Sequence, residues 1–283
     1  MGNLLRFGLI GYPLGHSFSK RYFTEKFERA GIADAYYELY PLPDIRELPG
    51  LIAQTPHLRG LNVTIPHKQS VIPFLTDLDE TARAIGAVNV IHIKDGQRIG
   101  YNTDATGFEQ TLLRWLTAHV PVQQDRTGLW KVTHPIKAYI VGTGGASKAV
   151  AYILTRHGIP FYTVSRTPQK TAGQLGYEDL SGQFGGHARR LWINTTPLGT
   201  FPNTDQMPAL PVESFNEQDM VYDLIYNPLE TRLLKTAAAR GAATHNGLQM
   251  LYGQAEAAWA LWNNHAPGAA EDLLMSSRLT EPF

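Results

Sequence analysis

The chain has no cysteine among its 283 residues. That excludes disulfides, thiolate zinc sites and cysteine nucleophiles together. It also lacks an excess of charge of either sign, because 25 Lys and Arg balance 25 Asp and Glu. No global field therefore draws it to nucleic acid or to an anionic membrane. Nowhere do eighteen apolar residues run together, and no basic-then-apolar leader precedes Leu4. The expectation is a soluble cytoplasmic protein, in which the sequons at Asn62 and Asn194 carry no glycan. Internal repeats and low-complexity tracts are missing too. What remains is 43% hydrophobic, enough for one large core or two ordinary ones.

The most informative stretch is Gly60-Leu61-Asn62-Val63-Thr64-Ile65-Pro66-His67-Lys68. Leu61 to Ile65 reads as a strand, which places Asn62 and Thr64 on one face because side chains alternate with period two. Pro66 fixes the turn that follows, and Lys68 stands just beyond it. Two polar side chains and a lysine at a rigid turn suit a small hydroxylated ligand. A wet edge strand would look the same.

Around this stretch the pattern alternates. Leu4 to Ile10 and Tyr36 to Tyr40 read as strands, with a helix between them from Ser17 to the stop at Gly31. Ser17 is a natural N-cap; a helix start carrying Ser17 and Ser19 also suits a carboxylate. Ser17 to Lys20 matches the S-x-x-K box of penicillin-binding enzymes. The boxes that accompany it there, S-D-N and K-T-G, do not occur, so the match is rejected. Ser70 to Ile85 predicts a turn and a helix, and Gly86 to Ile93 a strand that returns through Asp95-Gly96. Asp104 then precedes a helix to about Ala118, where its local sequence suits an N-cap. His119 to Pro135 is polar and proline-bounded, the pattern of a surface loop.

Beyond Pro135 a strand, Ile136 to Val141, enters Gly142-Thr143-Gly144-Gly145-Ala146-Ser147 and then an alanine-rich helix to His157. Strand, glycine-rich turn and helix in this order suit a dinucleotide fold. The next strand ends Val164-Ser165-Arg166-Thr167, with Lys170 close by and no carboxylate. An NAD site would carry an acid for the ribose diol there. A guanidinium instead pairs with a 2′-phosphate, which favours NADP. Strands over Leu191–Asn194 and Met220–Tyr226, a helix from Glu230 to Arg240 and a last helix from Asn246-Gly247 complete an α/β alternation, which implies a parallel sheet.

Eight segments, GYPLGHSFS, GLNVTIPHK, AIGAVNV, YNTDATGF, VGTGGASKAV, NTTPLG, YDLIYNPLET and GLQMLYGQ, occur in the order in which the shikimate dehydrogenase family carries them. The chain resembles that family over almost its whole length. The resemblance implies an α/β substrate-binding and catalytic domain over 1–104, joined by C-terminal helices over 245–283, and a Rossmann domain for NADP over 105–244. It implies reversible reduction of 3-dehydroshikimate to shikimate, in the route to aromatic amino acids, by a monomer or homodimer.

Carried over by residue, Lys68 and Asp104 resemble the family's catalytic pair. Ser17 and Ser19 match its carboxylate site, and Asn62, Thr64, Asn89, Tyr226 and Gln254 its contacts to the ring hydroxyls. Gly142, Gly144, Gly145 and Ala146 match the phosphate turn. Ser165, Arg166, Thr167 and Lys170 match the adenosine-phosphate patch, and Thr195, Gly247 and Met250 further cofactor contacts. A lysine partly withdrawn from water has a lowered pKa and serves as proton donor and acceptor, and a neighbouring carboxylate draws that pKa back up. No metal is implied. Lys20, Ser165, Lys170 and Thr200 depart from the family pattern, and the 119–135 segment exceeds its usual length. A quinate dehydrogenase shares these motifs, with selectivity set near Ser17 and Ser19. A sensor that has lost turnover would be expected to lack Lys68 or Asp104.

Overall fold

The computed structural model describes residues 4–15, 18–126, 129–182 and 188–263. The chain divides into two compact units. Among the described residues, one comprises those up to Thr103 together with those from Ala255; the other runs from Asp104 to Gln254.

The first unit is built on a six-stranded sheet of order β2-β1-β3-β5-β6-β4. Its strands are β1 (Leu5–Gly11), β2 (Ala35–Pro41), β3 (Leu58–Val63), β4 (Asp77–Leu78), β5 (Val90–Lys94) and β6 (Gln97–Tyr101). β1 runs parallel to both β2 and β3, whereas β5 is antiparallel to β3 and to β6. Asp95 (φ 50°) and Gly96 (φ 76°) make the two-residue turn between β5 and β6, the positive-φ pair that Asp-Gly signals.

Helix α1 (Phe18–Arg29) buries Phe18, Phe23 and Phe27, and Gly31 at φ 65° lets the chain turn away after it. Short α2 (Leu48–Gln54) precedes β3. Helix α3 (Glu80–Ile85) is held at one end by the Asp79 carboxylate, which accepts from the Thr81 and Ala82 amides. At the other end Gly86 is left-handed.

The second unit carries helix α4 (Thr103–Thr117) almost entirely, and a small hairpin of β7 (Val122–Gln124) and β8 (Trp130–Val132). Its five-stranded sheet is formed by β9 (Ile136–Val141), β10 (Phe161–Val164), β11 (Arg189–Asn194), β12 (Asp219–Asp223) and β13 (Ala243–His245), in the order β10-β9-β11-β12-β13. Every pairing is parallel. Helix α5 (Gly145–Arg156) packs Ala149, Val150, Ile153 and Leu154 inward, and α6 (Arg232–Ala238) is capped by the Thr231 hydroxyl. The boundary with the first unit falls inside α7 (Leu248–Trp262), after Gln254.

Several sequence expectations are corrected. The 119–135 segment holds the β7–β8 hairpin; strands of three residues are too short for periodicity to register. β4 and β13 escape notice for the same reason. The helix expected within 70–85 is confined to Glu80–Ile85, and the strand expected from Gly86 starts at Val90, because Gly86 is the cap of α3. β12 ends at Asp223, leaving Tyr226 in the following loop. β3 starts three residues earlier than expected and ends at Val63, so Thr64 lies just past it.

Candidate active site

In the first unit the parallel strands β2, β1 and β3 end on one edge of the sheet, and the polar residues of interest gather there. Asn62, near the end of β3, is 4% exposed. Its Oδ1 accepts a hydrogen bond of 2.7 Å from the Tyr37 hydroxyl on β2. Its buried Nδ2 has no hydrogen-bond partner among the described residues. Ser19, in the first turn of α1, is hydrogen-bonded to the same Tyr37 hydroxyl, whose pKa burial drives upward. Tyr37 in turn stacks on Phe23 of α1 at 4.6 Å. A serine, a tyrosine and an asparagine are thus wired in series and end in a donor left over. Ser17 lies outside the described residues.

Past Asn62, the half-buried Thr64 continues the ladder, its amide donating to Ile10 at 2.9 Å. His67 is buried and its Nε2 donates to the Leu42 carbonyl at 2.5 Å. The Lys68 carbonyl accepts from the Val88 amide at 2.7 Å. The backbone on both sides of the lysine is thereby fixed, and the side chain itself is half-buried.

Asn89, just ahead of β5, grips Thr103 twice: Oδ1 accepts from its amide at 2.7 Å, and Nδ2 donates to its hydroxyl at 3.0 Å. The start of α4 is therefore capped from another strand. Asp104 is not the N-cap its local sequence suggests. It lies in the helix's first turn, 7% exposed, where a carboxylate is favoured by the helix dipole.

In the second unit the strand order reverses around β9, and the loops after β9, β10 and β11 all leave the same edge. Such a switch point is where doubly wound sheets bind ligands. Gly142 has φ 113°, and a Cβ there would stand 2.6 Å from Thr195 Oγ1. Thr195 donates that hydroxyl to the Val141 carbonyl at 2.7 Å. Gly144 precedes α5 with no side-chain cap and open space where a Cβ would be. A bare helix start with glycines before it fits a pyrophosphate, and this edge is therefore suited to the dinucleotide the sequence implies.

After β10, Ser165 Oγ accepts from the Thr167 amide at 3.2 Å. Arg166 and Thr167 are exposed, and the arginine makes no hydrogen bond or ion pair among the described residues. Lys170 differs from expectation. Its ammonium pairs with Asp179 at 2.5 Å, so a carboxylate does reach this patch, from nine residues further on.

Tyr226 follows β12, half-buried, with its pKa raised by burial. Gln254 is half-buried and donates Nε2 to the Leu251 carbonyl at 3.0 Å. Gly247 and Met250 are buried. A Cβ on Gly247 would meet the Leu224 carbonyl oxygen at 2.0 Å, so this glycine serves close backbone approach.

A curated NADP(+) shikimate dehydrogenase from Halothermothrix orenii is 37% identical over 92% of this chain and 91% of its own length. The chain belongs to the shikimate dehydrogenase family. The profile of the shikimate dehydrogenase substrate-binding domain matches residues 9–91. Among solved structures, shikimate dehydrogenase 1 from Peptoclostridium difficile superposes with a TM-score of 0.78 at 30% identity, covering 96% of this chain and 97% of that one. A shikimate 5-dehydrogenase from Thermus thermophilus, solved with NADP(H) and shikimate, gives 0.73 at 31% identity, covering 96% and 99%. As in its relatives, this shikimate dehydrogenase family member joins an N-terminal substrate domain to a Rossmann-like domain.

Reading the sequence alone overlooked Tyr37 and His67, and with them Asn194 and Asp223. Tyr37 carried a faint signal, since it alternates with the exposed Tyr36 on a strand. The others bond to segments tens of residues away, and no local pattern announces them.

Proposed function

We propose that this chain catalyses the reversible, NADP-dependent reduction of 3-dehydroshikimate to shikimate, a step toward aromatic amino acids. Near-full-length relatives bearing that name support the reading. The single structural observation that carries it is the buried Asn62 amide. Tyr37 occupies its oxygen, and its nitrogen keeps a donor without a partner among the described residues. An unpaired buried donor costs about 1–3 kcal/mol, a cost that a ligand hydroxyl would remove.

NADPH, when bound, would supply the hydride that reduces the carbonyl carbon. The chain's own work is done at the oxygen. As the alkoxide forms, Lys68 delivers a proton to it, and in the oxidation direction the neutral amine takes that proton back. Asp104 is assigned to accept a hydrogen bond from a ring hydroxyl and to orient the amine. Ser19, with Ser17, holds the substrate carboxylate. Thr64, Asn89, Tyr226 and Gln254 contact the ring hydroxyls, although Asn89 also has the structural task of capping α4. On the cofactor side, Gly142, Gly144, Gly145 and Ala146 would hold the pyrophosphate, with Thr195, Gly247 and Met250 as further cofactor contacts. Ser165, Arg166 and Thr167 read the 2′-phosphate, Arg166 as the main cation; Lys170 contributes less, since Asp179 already neutralises it.

We assign the substrate-binding and catalytic role to 1–104 with 245–283 and NADP binding to 105–244, a functional division that differs from the compact units, which place Asp104 and 245–254 in the second. We assign the protein to the cytoplasm, acting as a monomer or homodimer without nucleic acid or membrane. The balanced net charge supports this, and among the described residues no helix is long and apolar enough to cross a membrane.

The test is a rate matrix of shikimate and quinate, each with NADP and NAD. Shikimate with NADP should give the highest kcat/KM. A higher value for quinate, or for NAD, would overturn the assignment of substrate or of cofactor respectively.

A further inference from the structure

At the carboxyl end of β12 lies a carboxylate that the proposed chemistry leaves unused. Asp223 is fully buried. It accepts hydrogen bonds from Asn194 Nδ2 at 2.9 Å, from the Thr231 hydroxyl at 2.7 Å and from the Ile225 amide at 3.1 Å. Asn194, also fully buried, uses its Oδ1 to accept from the amide and hydroxyl of Thr196, at 3.0 and 2.7 Å. Two donors at one end of this carboxamide and an acceptor at the other fix which way it faces. The backbones are tied as well: the Leu224 amide donates to the Asn194 carbonyl and the Gly247 amide to the Ile225 carbonyl, both at 3.0 Å.

The other end of the same strand offers a comparison. Asp219 is equally buried, but it meets the Arg190 guanidinium through both oxygens and Trp192 Nε1 at 2.9 Å. A buried carboxylate is usually compensated in that manner, by a cation. The three partners of Asp223 are instead neutral and directional, and each belongs to a segment leading into or out of a loop at the ligand edge of the sheet.

We propose that Asp223 is a positioning residue for the reaction, setting through Asn194 and its own bonds the two loops that carry Thr195 and Tyr226. This rests on the functional reading above. Only an acceptor suits the spot where three donors converge. Alanine at 223 leaves those donors unpaired and frees the Asn194 carboxamide to turn, which releases Thr196. Asparagine keeps one oxygen for Asn194 and Ile225 and opposes an NH2 to the Thr231 hydroxyl, which can reverse to accept it.

The experiment measures kcat and both KM values for wild type, Asp223→Ala and Asp223→Asn, well below each melting temperature and normalised to the NADPH-binding fraction. Misplacement of about 1 Å costs on the order of 10²-fold in rate. The expected result is therefore a kcat about 10- to 100-fold lower for the alanine variant, an intermediate value for asparagine and a KM for NADPH within about threefold of wild type. A lowered melting temperature with unchanged kcat would reduce Asp223 to a structural role and overturn the proposal. Should the alanine variant not fold, Thr231→Val and Thr231→Ser decide: the first should lower kcat and the second restore it, and equal rates for both would overturn the proposal. Wild type inactive on shikimate would refute the functional reading instead, because the proposal is judged only from variant-to-wild-type ratios.

Discussion

Gly60 lies where β3 meets the last turn of α7. A Cβ added there would come within 2.1 Å of Trp262 Nε1 and 2.4 Å of Cδ1 and Cε2. The indole is a rigid plane with two torsions and cannot fold a tip away, so relief requires moving the whole ring. Trp262 is 5% exposed, stacks on Phe7 at 4.9 Å and donates Nε1 to the Ile91 carbonyl at 3.1 Å. Displacement forfeits about 0.5–1.5 kcal/mol of aromatic contact and about 1 kcal/mol of hydrogen bond. Overpacking adds about 1–3 kcal/mol where the ring cannot clear the methyl. Alanine's lower chain entropy returns about 0.5–1 kcal/mol. Gly60→Ala should thus destabilise by about 1.5–5 kcal/mol, the sum being dominated by steric displacement. Urea unfolding followed by circular dichroism measures this, and the cycle with Trp262→Ala isolates the cause. In the alanine-262 background the same substitution should cost close to nothing. Equal cost in both backgrounds would refute the idea that the indole is what demands a glycine at position 60.

Lys68→Ala should lower kcat by about 10² to 10⁴-fold with little change in substrate affinity, and steady-state kinetics with isothermal titration would reveal an unchanged rate if the lysine is a bystander. Arg166→Ala should raise the KM for NADP far more than that for NAD, and equal effects on the two would remove it from 2′-phosphate recognition. Lys26 donates to both oxygens of the buried Glu256 at 2.7 Å. The Tyr22 hydroxyl also donates to Glu256, and burial raises that carboxyl to about 7, so it can take a proton. Lys26→Met should therefore cost about 1–3 kcal/mol, and a further Glu256→Leu should recover much of it in thermal melts. Burial raises the Asp223 carboxyl from 3.8 to about 6, so the folded state holds that proton more tightly than the unfolded chain. Stability from this group is present below about pH 4 and falls by roughly 3 kcal/mol as pH rises through 6; urea midpoints of wild type and Asp223→Asn across that range should diverge accordingly.

Elements whose signals are local were legible in the sequence. The strand, glycine turn and helix from Ile136 to Arg156 appear where expected, because Gly142 needs its positive φ for reasons visible within six residues. The same holds for the Asp95-Gly96 turn. Elements decided by distant partners were not legible. The need for a glycine at position 60 shows only with Trp262, some two hundred residues later, packed against it. Asp104 resembles an N-cap until Asn89 is found capping the helix in its place. Lys170 resembles an unpaired cation until Asp179 arrives. Asn62, Thr64 and Lys68 stood out because one strand and one turn hold them together. The groups behind them stayed hidden, since Tyr37 reaches Asn62 only across the sheet.

Two buried asparagines, Asn194 of the second unit and Asn62 of the first, are engaged differently. Asn194 has its oxygen and its nitrogen both engaged inside the protein, and its value lies in holding neighbours still. Asn62 has its oxygen engaged, and its nitrogen has no partner among the described residues. Folding alone gives no reason to bury such a group, since an apolar residue of similar size would avoid the loss. Arg6 Nε, Tyr40 OH, Tyr139 OH and His245 Nε2 are buried without a partner among the described residues too; at Asn62 the proposed ligand supplies the missing one. The specificity of such a site arises from the same deficit: an analogue without the matching hydroxyl leaves the donor unpaired and is rejected far more strongly than one differing by a methylene. Under the proposed function, the free energy that folding forgoes at Asn62 becomes the free energy by which the right substrate is told from the wrong one.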